Sequence, residues 1–132
     1  MIPLAIARWE KLVETRDLDA LDALLADDVI FESPILHTPQ IGRAAAKRYL
    51  TAAVQVLGTP DFRFTGRWLA EQSAVLELES KVDGLLVNAV DMIAWNSDDR
   101  ISRFKVMVRP LKAINALGQA MVRQMAANEA QG

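Results

Sequence analysis

Residues 83–95, Asp83-Gly84-Leu85-Leu86-Val87-Asn88-Ala89-Val90-Asp91-Met92-Ile93-Ala94-Trp95, decide how this chain folds. The opening Asp-Gly pair is a two-residue hairpin signal, because a turn that matches the twist of the flanking strands needs positive φ at both central positions. The run that follows is apolar with one charge, Asp91, and reads as a strand covered on both faces. A carboxylate held there must be paired, hydrogen-bonded or kept protonated, since a bare charge is costly to remove from water. Asp91 is therefore the first candidate for a functional group.

Working outward from the turn, the hairpin pairs Leu76 with Asp91, Glu77 with Val90 and Leu78 with Ala89. One face then carries Ala74, Leu76, Leu78, Val87, Ala89, Asp91, Ile93 and Trp95. A following turn over Ser97–Arg100 brings back a third strand, with Phe104 opposite Ile93, Val106 opposite Asp91 and Val108 opposite Ala89. On the other face Glu77, Glu79, Lys81, Arg103, Lys105 and Arg109 flank an apolar stripe of Val90, Met92 and Ala94, with Val75 and Met107 beside it. Such a stripe is too continuous for a solvated surface, so a second subunit or another element is expected to cover it.

Helices precede this meander. Pro3 suits a first helical turn, and Ile2, Ile6, Trp9 and Val13 recur at helical spacing up to about Thr15. Asp17 is positioned to cap a short helix with the stripe Leu18, Leu21, Leu24 and Leu25, closed by Asp27-Asp28. Val29–Ser33 reads as a short strand stopped by Pro34, followed by an irregular loop through His37, Pro39 and Gly42. A third helix runs from about Arg43 to Leu57 with Ala46, Leu50, Ala53 and Leu57 on one side, ended by Gly58 and Pro60. After Pro110 a last helix carries Leu111, Ile114, Leu117, Met121 and Met125.

Composition narrows the function. The 132 residues fit one domain with a core of its own. There is no cysteine and only one histidine, too few ligands for a thiolate or His-based metal site. A net charge of −2 with scattered signs supplies no basic field for nucleic acid. The opening apolar run is broken by Arg8 and Glu10, too short for a signal peptide or membrane span, and a cytoplasmic location is expected. No phosphate loop, nucleophile elbow or metal-spaced cluster occurs.

The Asp17-Leu18-Asp19 break, the segment Leu25-Ala26-Asp27-Asp28-Val29-Ile30-Phe31-Glu32-Ser33-Pro34, the Ile41-Gly42-Arg43 helix start and the strand Asp91-Met92-Ile93-Ala94-Trp95-Asn96 together resemble the SnoaL-like and ketosteroid-isomerase-like proteins of the nuclear-transport-factor-2-like superfamily. The resemblance spans roughly Ile2 to Asn115 and implies an α+β, cystatin-like cone: a curved antiparallel sheet wrapped around N-terminal helices, with a C-terminal helix, an apolar pocket inside and a homodimer through the sheet. In the isomerases of that family an acid on the strand equivalent to that of Asp91 stays protonated and donates to a dienolate oxygen. The partner donor, a tyrosine on the first helix, falls at Trp9, whose indole N–H also donates. The family's proton-shuttling aspartate falls at Ser33, which cannot do that work without a partner base.

Two classes of function follow. As an enzyme, the protein would act without cofactor on a small apolar carbonyl compound, an isomerase or cyclase with Asp91 and Trp9 holding the developing oxyanion and His37, in the loop after Ser33, moving the proton. Ser33, Ile93, Trp95, Phe104, Val106 and Val108 would line the ligand site. As a non-catalytic protein, the same cavity would bind a ligand or be filled by side chains within a dimeric scaffold. Tyr49 is read as a surface residue, one position from a pocket tyrosine of the family.

Overall fold

The computed structural model describes residues 1–131. Three helices at the start, α1 (Leu4–Thr15), α2 (Leu21–Leu24) and α3 (Arg43–Leu57), are interleaved with β1 (Leu25–Glu32) and the short β2 (Gln40–Ile41). Then come β3 (Arg63–Leu69), β4 (Ser73–Val82), β5 (Leu85–Trp95), β6 (Ile101–Arg109) and the final helix α4 (Leu111–Gln131). The strands form a single curved sheet in the order β2-β1-β6-β5-β4-β3, antiparallel except where β1 runs parallel to β6.

The β4–β5 turn sets the register of the whole sheet. Asp83 and Gly84 both adopt positive φ, 50° and 79°, the geometry of a tight hairpin turn. Leu76 pairs with Asp91 and Leu78 with Ala89, and on the far side β6 sets Phe104 against Ile93, Val106 against Asp91 and Val108 against Ala89. Burial alternates accordingly: Ala74, Leu76, Leu78, Val87, Ala89, Asp91, Ile93 and Trp95 are all buried, whereas Met92 and Met107 on the opposite face stand exposed. Register shifts at Phe64/Gly66, at Ala94/Trp95 and between Leu25 and Ile30 interrupt the ladders, and such irregularities bend and twist strands.

The concave face is filled by α1 and α3. Ile6, Trp9, Leu12, Leu50 and Val54 pack with Leu76, Ile93, Phe31 and Phe104 in the main core. A smaller cluster joins Ala113, Ala116 and Ala120 of α4 to Val82 and Val87. These alanines let α4 lie close to the sheet, a contact made by small side chains that the large-residue stripe on this helix does not reveal. Leu111, first in that stripe, is exposed.

The first half departs from its sequence reading in three places. The second helix is a 3-10 turn (Leu18–Ala20) followed by the four residues of α2, and Asp17 makes no side-chain cap. β1 starts at Leu25, so Asp27 and Asp28 lie within the strand, exposed in the stretch between the pairings Leu25–Ile101 and Ile30–Arg103, rather than closing a helix. Fully buried Leu25 serves the sheet instead of a helical stripe. β2 and β3, absent from the sequence reading, are short or edge elements whose burial pattern is weak, so alternation gives them little signal.

Phe104→Ala removes a fully buried ring that touches both Trp9 and Phe31, and a loss of about 3–5 kcal/mol in chemical denaturation is expected. Gly84→Ala should cost about 1 kcal/mol by the same measurement, because a Cβ must then adopt positive φ.

Candidate functional site

Between the concave face, α3, the middle of α4 and the loop after β1 lies a cavity of about 190 Å³. Trp9 from α1, Phe31 from β1, Asp91 from β5 and Phe104 and Val106 from β6 form its sheet side. Tyr49, Leu50 and Ala53 of α3 and Leu117, Met121 and Met125 of α4 close the helical side. Loop residues Ser33–Leu36 and Val122 also line it, and Ile35, Leu36 and Val122 are exposed, which places the mouth between that loop and α4.

Asp91 is the only charged residue in this lining and is 5% exposed. Burial, the larger cause, pushes its pKa from the ordinary 3.8 up to about 7, while the indole of Trp9 acts in the opposite direction. The indole N–H is directed at Asp91 closely enough to favour its charged form, yet by hydrogen-bond geometry the buried Nε1 has no partner. Distance and angle decide whether a donor is satisfied, and by them this one is not. Phe104 meets the indole edge-on, with ring centroids 4.9 Å apart, and the cavity that both polar groups border is otherwise lined almost wholly by apolar side chains. An unsatisfied buried donor is uncommon and carries a desolvation cost. Together the neutral Asp91 carboxyl and the Trp9 N–H offer two donors to an acceptor placed in the cavity.

Of the other residues anticipated for the site, Ser33, Phe104 and Val106 do line the cavity. Ser33 Oγ accepts the backbone N–H groups of Ile35 and Leu36 at 2.9 and 3.2 Å, a local turn that aims those two side chains at the mouth. Ile93, Trp95 and Val108 are placed elsewhere: Ile93 and Trp95 belong to the main core and Val108 packs on the smaller cluster by α4. They share the inner face with Asp91 but lie farther along the strands.

His37 does not reach the cavity. It is exposed in a separate surface groove with Lys105 and Met107, and Ser33, Pro34, Ile35, Leu36 and Val106 line both spaces as the wall between them. The turn held by Ser33 sends the chain outward before His37, a geometry that loop composition does not encode. Tyr49, read as a surface residue, corrects in the other direction. Its ring is half-buried, lines the cavity and stacks on Phe31 with centroids 5.8 Å apart, while Arg48 lies 5.4 Å from the ring centre on the outside. The signal was present, since Tyr49 stands three residues after Ala46 and four before Ala53, on the same helical face.

With the geometry in place, similarity to known proteins is informative. The SnoaL-like domain family matches residues 6–104. The chain belongs to the SnoaL-like family. Its fold is that of the nuclear-transport-factor-2-like superfamily. A steroid delta-isomerase from Pseudomonas aeruginosa is 34% identical, with 96% of this SnoaL-like chain and 92% of that one covered and a TM-score of 0.90. A cystatin-like-fold protein conserved in bacteria, from Silicibacter pomeroyi DSS-3, is 32% identical over 93% of this chain and 86% of that one, with a TM-score of 0.86. At 20% identity, an NTF2-like protein from Mesorhizobium loti shares the fold, with a TM-score of 0.69 and 80% and 88% of the two chains covered. None of the curated proteins matches the sequence. Among the described residues of this SnoaL-like chain no cluster of His, Cys, Asp and Glu could hold a metal ion, and no helix is long and apolar enough to cross a membrane.

The buried acid predicts a pH signature in stability. The folded chain keeps on Asp91 a proton that the unfolded chain releases near 3.8, so stability falls as pH rises from there to about 7 and is level above. The full effect is about 4 kcal/mol at most. Asp91→Asn should therefore match the parent near pH 4 and exceed it at pH 8, as read by urea unfolding at both values; equal stabilities at pH 8 would mean the carboxyl is solvated.

Proposed function

We propose that the protein binds a small, apolar carbonyl compound in this cavity, with the carbonyl oxygen accepting hydrogen bonds from protonated Asp91 and from Trp9 Nε1. Polarisation by these donors favours the enol form, which assigns the site to proton-transfer chemistry of the isomerase or cyclase kind. The observation that carries this reading is the coincidence, in one apolar cavity, of a carboxyl held near neutrality and an indole N–H without a partner. Donors fixed in a water-poor site stabilise developing negative charge far better than the same groups in water. Apart from Asp91, the titratable side chain in the lining is that of Tyr49, so the proton leaving carbon passes to solvent at the mouth.

A second reading, ligand binding without turnover, has its own support. Ser33 Oγ is occupied by the loop backbone and His37 lies behind the wall, which leaves the cavity without a separate base. Deuterium exchange at the α-carbons of cyclohex-2-enone and 2-tetralone separates the two readings. Exchange above the buffer rate that Asp91→Leu abolishes is expected for the enzyme, and saturable binding with no added exchange identifies the binder.

Affinity for either ketone should weaken by about tenfold from pH 6 to pH 8, as the donor form of Asp91 is depleted. Asp91→Asn retains an N–H donor and should show a flat profile by calorimetry. A parent protein with equal affinity at both pH values would remove Asp91 from the donor role.

The outer sheet face supports a further part of the proposal, a homodimer through the sheet. Trp68, at 58% exposure, lies beside the half-buried Val75, which pairs with Met92, and the pair Val90 and Met107 continues the same face on β5 and β6, an apolar surface of the sort that oligomer contacts cover. Light scattering at micromolar concentration is expected to give twice the chain mass, and Met92→Glu a monomer; a monomeric parent protein would refute it.

A further inference from the structure

Resting on the carbonyl-binding reading, we infer the class of ligand: an uncharged, planar compound of one or two fused rings, seated with its oxygen on Asp91 and Trp9, and neither an anion nor a four-ring compound. Three features of the cavity lead there. The first is its volume of about 190 Å³. An apolar cavity of about 150 Å³ takes up benzene, and drug-sized ligands occupy sites of roughly 300 Å³ or more. The space inside therefore suits one ring with a substituent or a fused pair.

The second feature is the aromatic lining. Trp9, Phe31, Tyr49, Phe62 and Phe104 all border the cavity. Trp9 and Phe104 already meet edge to face, and Phe31 and Tyr49 are stacked 20° from parallel. Inserted between such faces and edges, a flat unsaturated ring makes the offset and edge-on contacts that aromatic groups favour.

The third feature is charge. No Lys, Arg or His side chain lines the cavity, and its one ionisable polar partner deep inside is an acid. An anionic ligand would be buried without a counter-ion and against a carboxyl group, a penalty of several kcal/mol. Arg48 lies against Tyr49 but is not part of the lining, so the interior itself selects for neutral molecules. That selection separates this site from pockets that recognise a carboxylate or phosphate through a cation.

Calorimetric titration of the full chain at pH 6 with 2-tetralone, 2-naphthoate and progesterone tests the inference. Saturable 2-tetralone binding is expected, with 2-naphthoate at least about a hundredfold weaker and progesterone binding undetectable up to its solubility limit. Asp91→Leu and Trp9→Phe should each weaken 2-tetralone binding, and the two variants guard against a loss of fold in either one. Progesterone or 2-naphthoate binding as tightly as 2-tetralone, and losing affinity in both variants, would overturn the ligand class while leaving the carbonyl-binding reading intact. If 2-tetralone failed to bind, or bound both variants as it binds the parent, the carbonyl-binding reading itself would fall, and the ligand class with it.

Discussion

A two-residue turn holds the arrangement together. With positive φ at Asp83 and Gly84, β4 and β5 can pair in one register, and because side chains alternate with a period of two, that register settles the face of every residue on both strands. A slip by one residue would expose Leu76, Leu78 and Ile93 and bury Glu77, Asn88 and Glu79. The apolar concave face, the seat for α1 and α3 and the inward orientation of Asp91 all descend from this constraint.

Burying Asp91 is a cost to the fold that the sheet is able to bear. Hydrophobic neighbours on β4, β5 and β6 supply the stability, and the acid responds by holding its proton to about pH 7 rather than by finding a cation. The exposed ion pairs, such as Arg67 with Glu10 and Arg123 with Asp83, lie outside the cavity and leave its interior apolar. A carboxyl group in this condition keeps its proton, and can donate a hydrogen bond, in a large share of molecules up to about pH 7, a role that an ordinary solvated aspartate cannot take. Trp9, its N–H unpartnered beside it, completes a site for an acceptor.

The helical side of the cavity gives it shape rather than chemistry. Ala113, Ala116 and Ala120 bring α4 close to the sheet, and Leu117, Met121 and Met125, on an adjoining part of the helix surface, reach over the space that remains. Unbranched methionines adapt to a ligand more readily than branched residues do. The aromatic residues of β1, α3 and β6 give the opposite effect, a set of rings that constrain each other and limit what enters.

Local sequence determined the α+β architecture, the β4–β5–β6 register, the inner and outer faces and the burial of Asp91, because turn chemistry and alternation act between near neighbours and need no knowledge of the rest of the chain. The same logic placed Trp9 on the buried face of α1. Only the tertiary structure decided which inward residues border empty space and which fill the core: Ile93 and Trp95 share a face with Asp91, yet helices from distant parts of the chain pack over them. It alone placed His37 outside, since the path of the Ser33–Leu36 loop depends on contacts between segments far apart in sequence. The helical spacing of Tyr49 with Ala46 and Ala53 already put it on the inward face, and only the seating of α3 against β1 made that face a cavity wall. A cavity is a property of such contacts, so its size, its mouth and its selectivity arise from how the elements meet and are written in no single one of them.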